Sequence, residues 1–158
     1  MSSMALEERI HKALAGAVDP ERFSAVLKVL LVHFAAHMGT IHRLNPQDGH
    51  LYLLAASEGI PEPVLAASRR IPLGKGIAGA AAQSRKPVSI CNLQTDHSGA
   101  AQPGAKATGA HGALCVPIFR GEQVVGTLGI GCKGDRIFTP AETEELLAAG
   151  RALGDQLH

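Results

Sequence analysis

Apolar residues recur along this chain first at helical spacing, then in short alternation, and finally at helical spacing again. Leu6, Ile10, Ala13 and Leu14 are three or four positions apart and stop at Gly16, which predicts a short amphipathic helix. Asp19-Pro20 then supplies an N-cap and a pre-set first helical φ. Behind it, Phe23, Val26, Leu27, Leu30, Leu31 and Phe34 form one continuous stripe, the strongest helical signal in the chain. From His37 the pattern shortens to alternation through Leu44, the cluster Asn45 to Gly49 turns the chain, and Leu51 to Ser57 returns it as a strand. This is a predicted hairpin.

Pro61 and Pro63 open a short helix through Ser68, and Ile77 to Ser84 reads as another, its alanines permitting close packing on a sheet. Val88 to Cys91 is a brief strand. The stretch 92–110 is polar and small, with Gly99, Pro103, Gly104 and Gly109, too long and too poor in apolar residues for an ordinary connection, and is expected to form a mobile lid. Ala113 to Phe119 and Val124 to Cys132 then flank Arg120 to Gln123 as an apolar hairpin, dense enough to be central strands covered on both faces. Its Gly126, Gly129 and Gly131 are expected to leave room on one face. Thr139-Pro-Ala-Glu142 has the form of a capping box, and Leu146, Leu147, Gly150, Leu153 and Leu157 form the stripe of a closing helix. An antiparallel sheet with helices at both ends of the sequence is an α+β layout.

Length and composition narrow the function classes. A chain of 158 residues is expected to form one domain, residues 1–158, burying about 70% of its unfolded surface. Fifteen Lys and Arg against 14 Asp and Glu leave no excess field for a phosphate backbone or an anionic membrane. One Tyr, four Phe and no Trp remove most of the stacking surface that single-stranded nucleic acid uses. Neither nucleic acid nor membrane is an expected partner. The most apolar run, Val26 to Met38, is broken by Lys28, His33 and His37, and charges at Glu7, Glu8 and Arg9 occupy the place of a signal peptide's apolar region. A cytoplasmic location follows as an expectation. Cys91, Cys115 and Cys132 are odd in number and widely spaced, so buried, reduced thiols are expected rather than a disulfide framework or a CxxC motif.

The most informative stretch is Arg70-Ile-Pro-Leu-Gly-Lys-Gly-Ile-Ala-Gly79, where Gly74, Gly76 and Gly79 allow a sharp turn and a close approach as a helix begins. Together with Gly112-Ala-Leu-Cys-Val-Pro-Ile118 and Gly126-Thr-Leu-Gly-Ile130, it resembles a GAF domain over nearly the whole chain, from Pro20 to Leu157. The resemblance is nearest to the GAF modules of bacterial transcription activators and phosphotransfer proteins. It implies a central antiparallel sheet of five or six strands, with the terminal helices on one face and short helices and loops enclosing a small-molecule pocket on the other. With no output domain in the sequence, a free-standing sensor that signals to a separate output protein is implied.

Particular residues bear on several chemistries. Cyclic-nucleotide-binding relatives carry an Asn-Lys…Phe-x3-Asp-Glu signature, which Lys133, Phe138 and Glu142 match in part; a Lys133–Glu142 pair would have to compete with the capping role of Glu142. Free methionine-(R)-sulfoxide reductases place cysteines in the Arg-Ile-Pro…Gly region and in the following loop. Here those positions fall on Ser68, Ala78 and near Lys106. That mechanism needs a nucleophilic thiolate, so an enzyme of this kind would have to use displaced cysteines such as Cys91 and Cys115. Eight histidines, with His97 and His111 bracketing the lid, leave a haem- or metal-binding variant as a further alternative. Gly74-Lys75-Gly76 lacks the spacing of a phosphate-binding loop, and Ser89 or Ser98 with His97 and Asp96 lacks a nucleophile elbow.

The leading expectation is a non-catalytic sensing domain whose pocket lies between the sheet and the loop 92–110. Ile90, His97, Thr108, His111 and Cys115 are the residues expected to line it. Its ligand is an unidentified small molecule, and no cofactor is named. Were Leu6, Ile10 and part of the Phe23 to Phe34 stripe more than one sheet face can cover, the remainder would be buried against a second copy, so a homodimer through the terminal helices is expected.

Overall fold

A computed structural model describes residues 3–16, 21–90 and 111–157 of the chain. Two helices, α1 (Ser3–Ala15) and α2 (Glu21–Phe34), lead into the hairpin β1 (Met38–Asn45) and β2 (His50–Ala56). Then follow α3 (Glu62–Ser68), the three-residue β3 (Arg70–Pro72), α4 (Gly76–Ser84) and β4 (Val88–Ile90). The hairpin β5 (Ala113–Arg120) and β6 (Gln123–Gly131) precedes the closing helix α5 (Pro140–Gly154). The proposed N-cap Asp19-Pro20 and the stretch from Cys91 to Ala110 lie outside the described residues.

The strands form one six-stranded sheet in the order β3-β2-β1-β6-β5-β4, and every neighbouring pair is antiparallel. Side chains alternate between the faces of a strand, so two interleaved sets decide what each face meets. Leu114, Val116 and Ile118 of β5, Leu128 and Ile130 of β6 and Ile41 of β1 join one buried cluster with Leu6, Ile10, Phe23, Val26, Leu27, Leu30, Leu146 and Leu153. That is the helical face, covered by α1, α2 and α5. On the opposite face Ile90 and Ala113 pack with Met38 and Ile77. The expected layout therefore holds, and β5 is buried on both faces from Ala113 to Ile118 as its apolar density implied.

Two sequence expectations need correction. Gly126 does not share a face with Gly129 and Gly131, because it is an odd number of residues from both; a Cβ there would meet the His42 carbonyl and Leu157. The surplus stripe argued for a second copy is also smaller than expected, reduced to the half-buried Leu31. Leu6, Ile10, Phe23, Val26, Leu27, Leu30 and Phe34 are all buried within the single chain, and of the large apolar side chains of α2 only Val32 is exposed.

The capping box at α5 forms as its sequence predicts: the Glu142 N–H donates to the Thr139 hydroxyl at 3.1 Å and the Thr139 N–H to the Glu142 carboxylate at 2.9 Å. The carboxylate's ion partner is Arg136 at 2.5 Å, not Lys133. Burial alone would raise the Glu142 carboxyl, but the Thr139 N–H and the Arg136 guanidinium outweigh it and hold it below its ordinary value. Arg136 also lies 4.4 Å over the Phe138 ring and donates to the Phe34 carbonyl, fastening the start of α5 to the end of α2. Lys133 contributes its backbone N–H, donated to His37 Nδ1 at 3.1 Å. Thr139→Ala is expected to cost about 1 kcal/mol in chemical denaturation. An unchanged denaturation midpoint would show that Arg136 alone holds this end of the helix.

Candidate functional site

The site is built on the sheet face away from the terminal helices. Alternation along β1 puts Met38, Thr40 and His42 on that face, along β5 Ala113 and Cys115, and along β6 Gly129 and Gly131. The two β6 glycines contribute no side-chain bulk. Above them, α3 and the turn into α4 form the roof, enclosing a cavity of about 630 Å³. The roof depends on the glycine-rich turn. Gly74 and Gly76 have φ of +82° and +66°, which favour glycine, and a Cβ at Gly79 would lie 2.6 Å from the Pro72 carbonyl. These positions bring the start of α4 down against β3 and make Gly76, Ile77 and Ala78 part of the cavity wall.

His42 is the most buried polar side chain of the wall, only 2% exposed. Its Nε2–H donates to the Ser68 carbonyl at 2.9 Å, tying the last turn of α3 to the sheet. This assignment leaves Nδ1 as an acceptor, and it is buried with no partner among the described residues. Burial holds the imidazole below its ordinary pKa, partly offset by the bond to Ser68, so His42 is neutral at physiological pH. Thr127 stands directly opposite His42 across β1 and β6, and its hydroxyl too is buried without a partner of ordinary geometry. Burial pushes the Cys115 thiol up to about 12, with the neighbouring Thr127 hydroxyl opposing the rise. At neutral pH that thiol is a small apolar group rather than a nucleophile.

The expected site residues separate. Cys115 lines the cavity, and Ile90 packs beside it on Ala113, Met38 and Ile77. His111 is half-exposed, pairs through Nδ1 with Asp135 at 2.8 Å, and is not among the lining residues. His97 and Thr108 lie outside the described residues, as does the expected lid. Sequence reasoning missed His42, although its alternation with Gly39 and Ile41 along β1 was the available signal. Ser68 and Ala78, aligned above with reductase cysteines, both line the cavity. Among the described residues no three His, Cys, Asp or Glu side chains converge to hold a metal. His33 and His37, the helical pair, diverge: His33 meets Glu145 at 2.7 Å while His37 accepts from Lys133. No described helix is long and apolar enough to cross a membrane.

The family profile described as GAF domain matches residues 20–157. This chain belongs to the GAF domain family. The fold recurs in solved structures. The GAF domain of Acinetobacter phosphoenolpyruvate-protein phosphotransferase superposes with a TM-score of 0.80 at 17% identity, over 99% of this chain and 94% of that one. The GAF domain of A. aeolicus nlh2, solved in an inactive state, gives 0.74 at 22% identity over 97% and 93%. Free methionine-R-sulfoxide reductase from Neisseria meningitidis, in complex with its substrate, gives 0.71 at 15% identity over 98% and 89%. Such identities show a shared GAF fold, common to domains of signalling proteins and to enzymes. No curated protein matches this chain.

Proposed function

We propose that this GAF domain is a non-catalytic sensor that binds a small molecule in the cavity between its sheet and the α3–α4 roof, with the loop 92–110 closing over it. The observation that carries the reading is a preformed, mainly apolar cavity of about 630 Å³ with a few polar groups at its floor and rim, the usual anatomy of a small-ligand site. In this reading His97 and Thr108 enter the site from the loop, and Ile90 and Cys115 from the sheet. Occupancy orders the roof and shifts a conformational population rather than driving chemistry. The terminal helices share one buried cluster with the strands beneath the cavity, so a shift in the sheet reaches α1, α2 and α5 through direct packing. They would carry the signal to a separate output protein.

The enzyme reading is weaker on chemical grounds. Sulfoxide reduction needs a thiolate in contact with substrate, and here the cavity carries Ser68 and Ala78 where the related reductases carry cysteine. The cysteine that does line it, Cys115, has its thiol held protonated by burial. The reduced protein with free methionine-(R)-sulfoxide is expected to give no turnover above the uncatalysed background, unchanged in Cys91→Ser and Cys115→Ser. Turnover lost in either variant would establish the enzyme instead. Native mass spectrometry of protein purified from its own host is expected to show a bound small molecule, and a uniformly unliganded mass would count against sensing.

A further inference from the structure

The charged residues beside the cavity stand outside it. Arg70 lies in register with Tyr52 and, through it, with Arg43, on the sheet face turned away from the cavity, and it hydrogen-bonds to Tyr52. Lys75 is exposed in the turn before α4, where its ammonium keeps its water. No Asp or Glu lines the cavity among the described residues. His42 is neutral, and its unpartnered Nδ1 is buried beside the Thr127 hydroxyl, out of reach of the interior. The other polar side chains on the wall are Thr40, Ser68 and Cys115, and the Ser68 hydroxyl already donates to the Leu65 carbonyl at 3.0 Å. Each can exchange a hydrogen bond with an uncharged group, and none can neutralise an ion. A charge brought into this cavity would lose its water without gaining a counter-charge.

The rest of the wall is carbon, and on the roof it lacks a protein partner. α3 has no buried residue; its Val64 and Ala67, with Ile60 just before the helix, open on the cavity. Seven residues are too few for a helix to stand on propensity alone. Its last turn is tied to the sheet through Ser68 and His42, whereas its first turn has no buried anchor. An apolar body beneath α3 would supply the packing that the chain itself does not. On the floor, a Cβ added at Gly129 would meet Cys115 Sγ and Thr40 Oγ1 at 3.6 Å, an ordinary contact distance. Neither a clash nor a positive φ demands glycine there. Its missing side chain serves the volume of the cavity rather than the fold.

We propose that the cavity takes an uncharged, mainly apolar small molecule, seated on Gly129 between Thr40 and Cys115 and covered by α3, which it holds in place. The inference rests on the sensing reading; it gives the class of ligand and the roof element that responds to it.

The dye N-phenyl-1-naphthylamine and its 8-sulfonate share one skeleton and differ by a single negative charge. In fluorescence titrations of the full chain at constant ionic strength, the neutral dye is expected to bind about tenfold or more tighter than the sulfonate. Gly129→Leu, which fills the floor with carbon, should weaken the neutral dye about tenfold or more while keeping the parent's melting temperature. In the parent chain, saturating neutral dye should slow amide hydrogen exchange across α3 severalfold. If Gly129→Leu does not fold, that protection decides the location by itself. The sulfonate binding as tightly as the neutral dye, undiminished binding in folded Gly129→Leu, or bound dye without protection of α3 would overturn the proposal while leaving the sensing reading intact. No binding of the neutral dye up to its solubility limit overturns it as well; only an unliganded native mass from the host would then remove the sensing reading too.

Discussion

Gly126→Ala is expected to destabilise the chain by about 3 kcal/mol or more, because its new methyl would meet backbone that no rotamer change can move aside. An ideal Cβ at Gly126 lies 2.1 Å from the His42 carbonyl oxygen and 3.0 Å from Leu157 Cδ1. The leucine tip can yield, but the carbonyl belongs to β1, which pairs with β6 on one side and β2 on the other. Relief therefore means displacing the middle of the sheet. For a domain of this size the loss corresponds to a fall in melting temperature of roughly 6–12 °C. Gly134→Ala is the control, since nothing lies within 4 Å of its added methyl, and it should stay within about 0.5 kcal/mol of the parent. Equal urea midpoints for the two variants would contradict the close approach of β1 and β6.

Leu128→Ala should have a comparable or larger effect, about 3–5 kcal/mol. Leu128 is fully buried at the centre of the helical face, opposite Ile41 on β1 and Val116 on β5. The neighbours that would have to close the void are themselves held by strand pairing on both sides, so the site can collapse little and most of the cavity cost remains. Ile137→Ser, at a side chain 77% exposed, removes a similar amount of carbon and should change stability by no more than about 0.5 kcal/mol. Circular-dichroism melts compare the two directly. A Leu128→Ala melt as high as that of Ile137→Ser would mean that the helical layer does not pack on β6 as described.

By itself the sequence determined the order and type of the elements apart from the short edge strand β3, which it left inside the glycine-rich turn, together with the α+β arrangement and the GAF family. These features rest on local rules, namely the periods of Phe23 to Phe34 and Leu146 to Leu157, the capping box at Thr139, and the turn at Gly74 to Gly79, each written in residues near one another. Tertiary structure alone decided which residues meet across the chain. Glu142 took Arg136 instead of Lys133, His111 turned to Asp135, and Leu6, Ile10 and most of the α2 stripe proved buried within their own chain. His42 became a cavity residue because strand register set it opposite Thr127 and beneath the end of α3, a juxtaposition fixed by pairing between segments some 26 to 85 positions apart. Local pattern records which face of a strand a side chain takes; only the packed chain records what waits on that face.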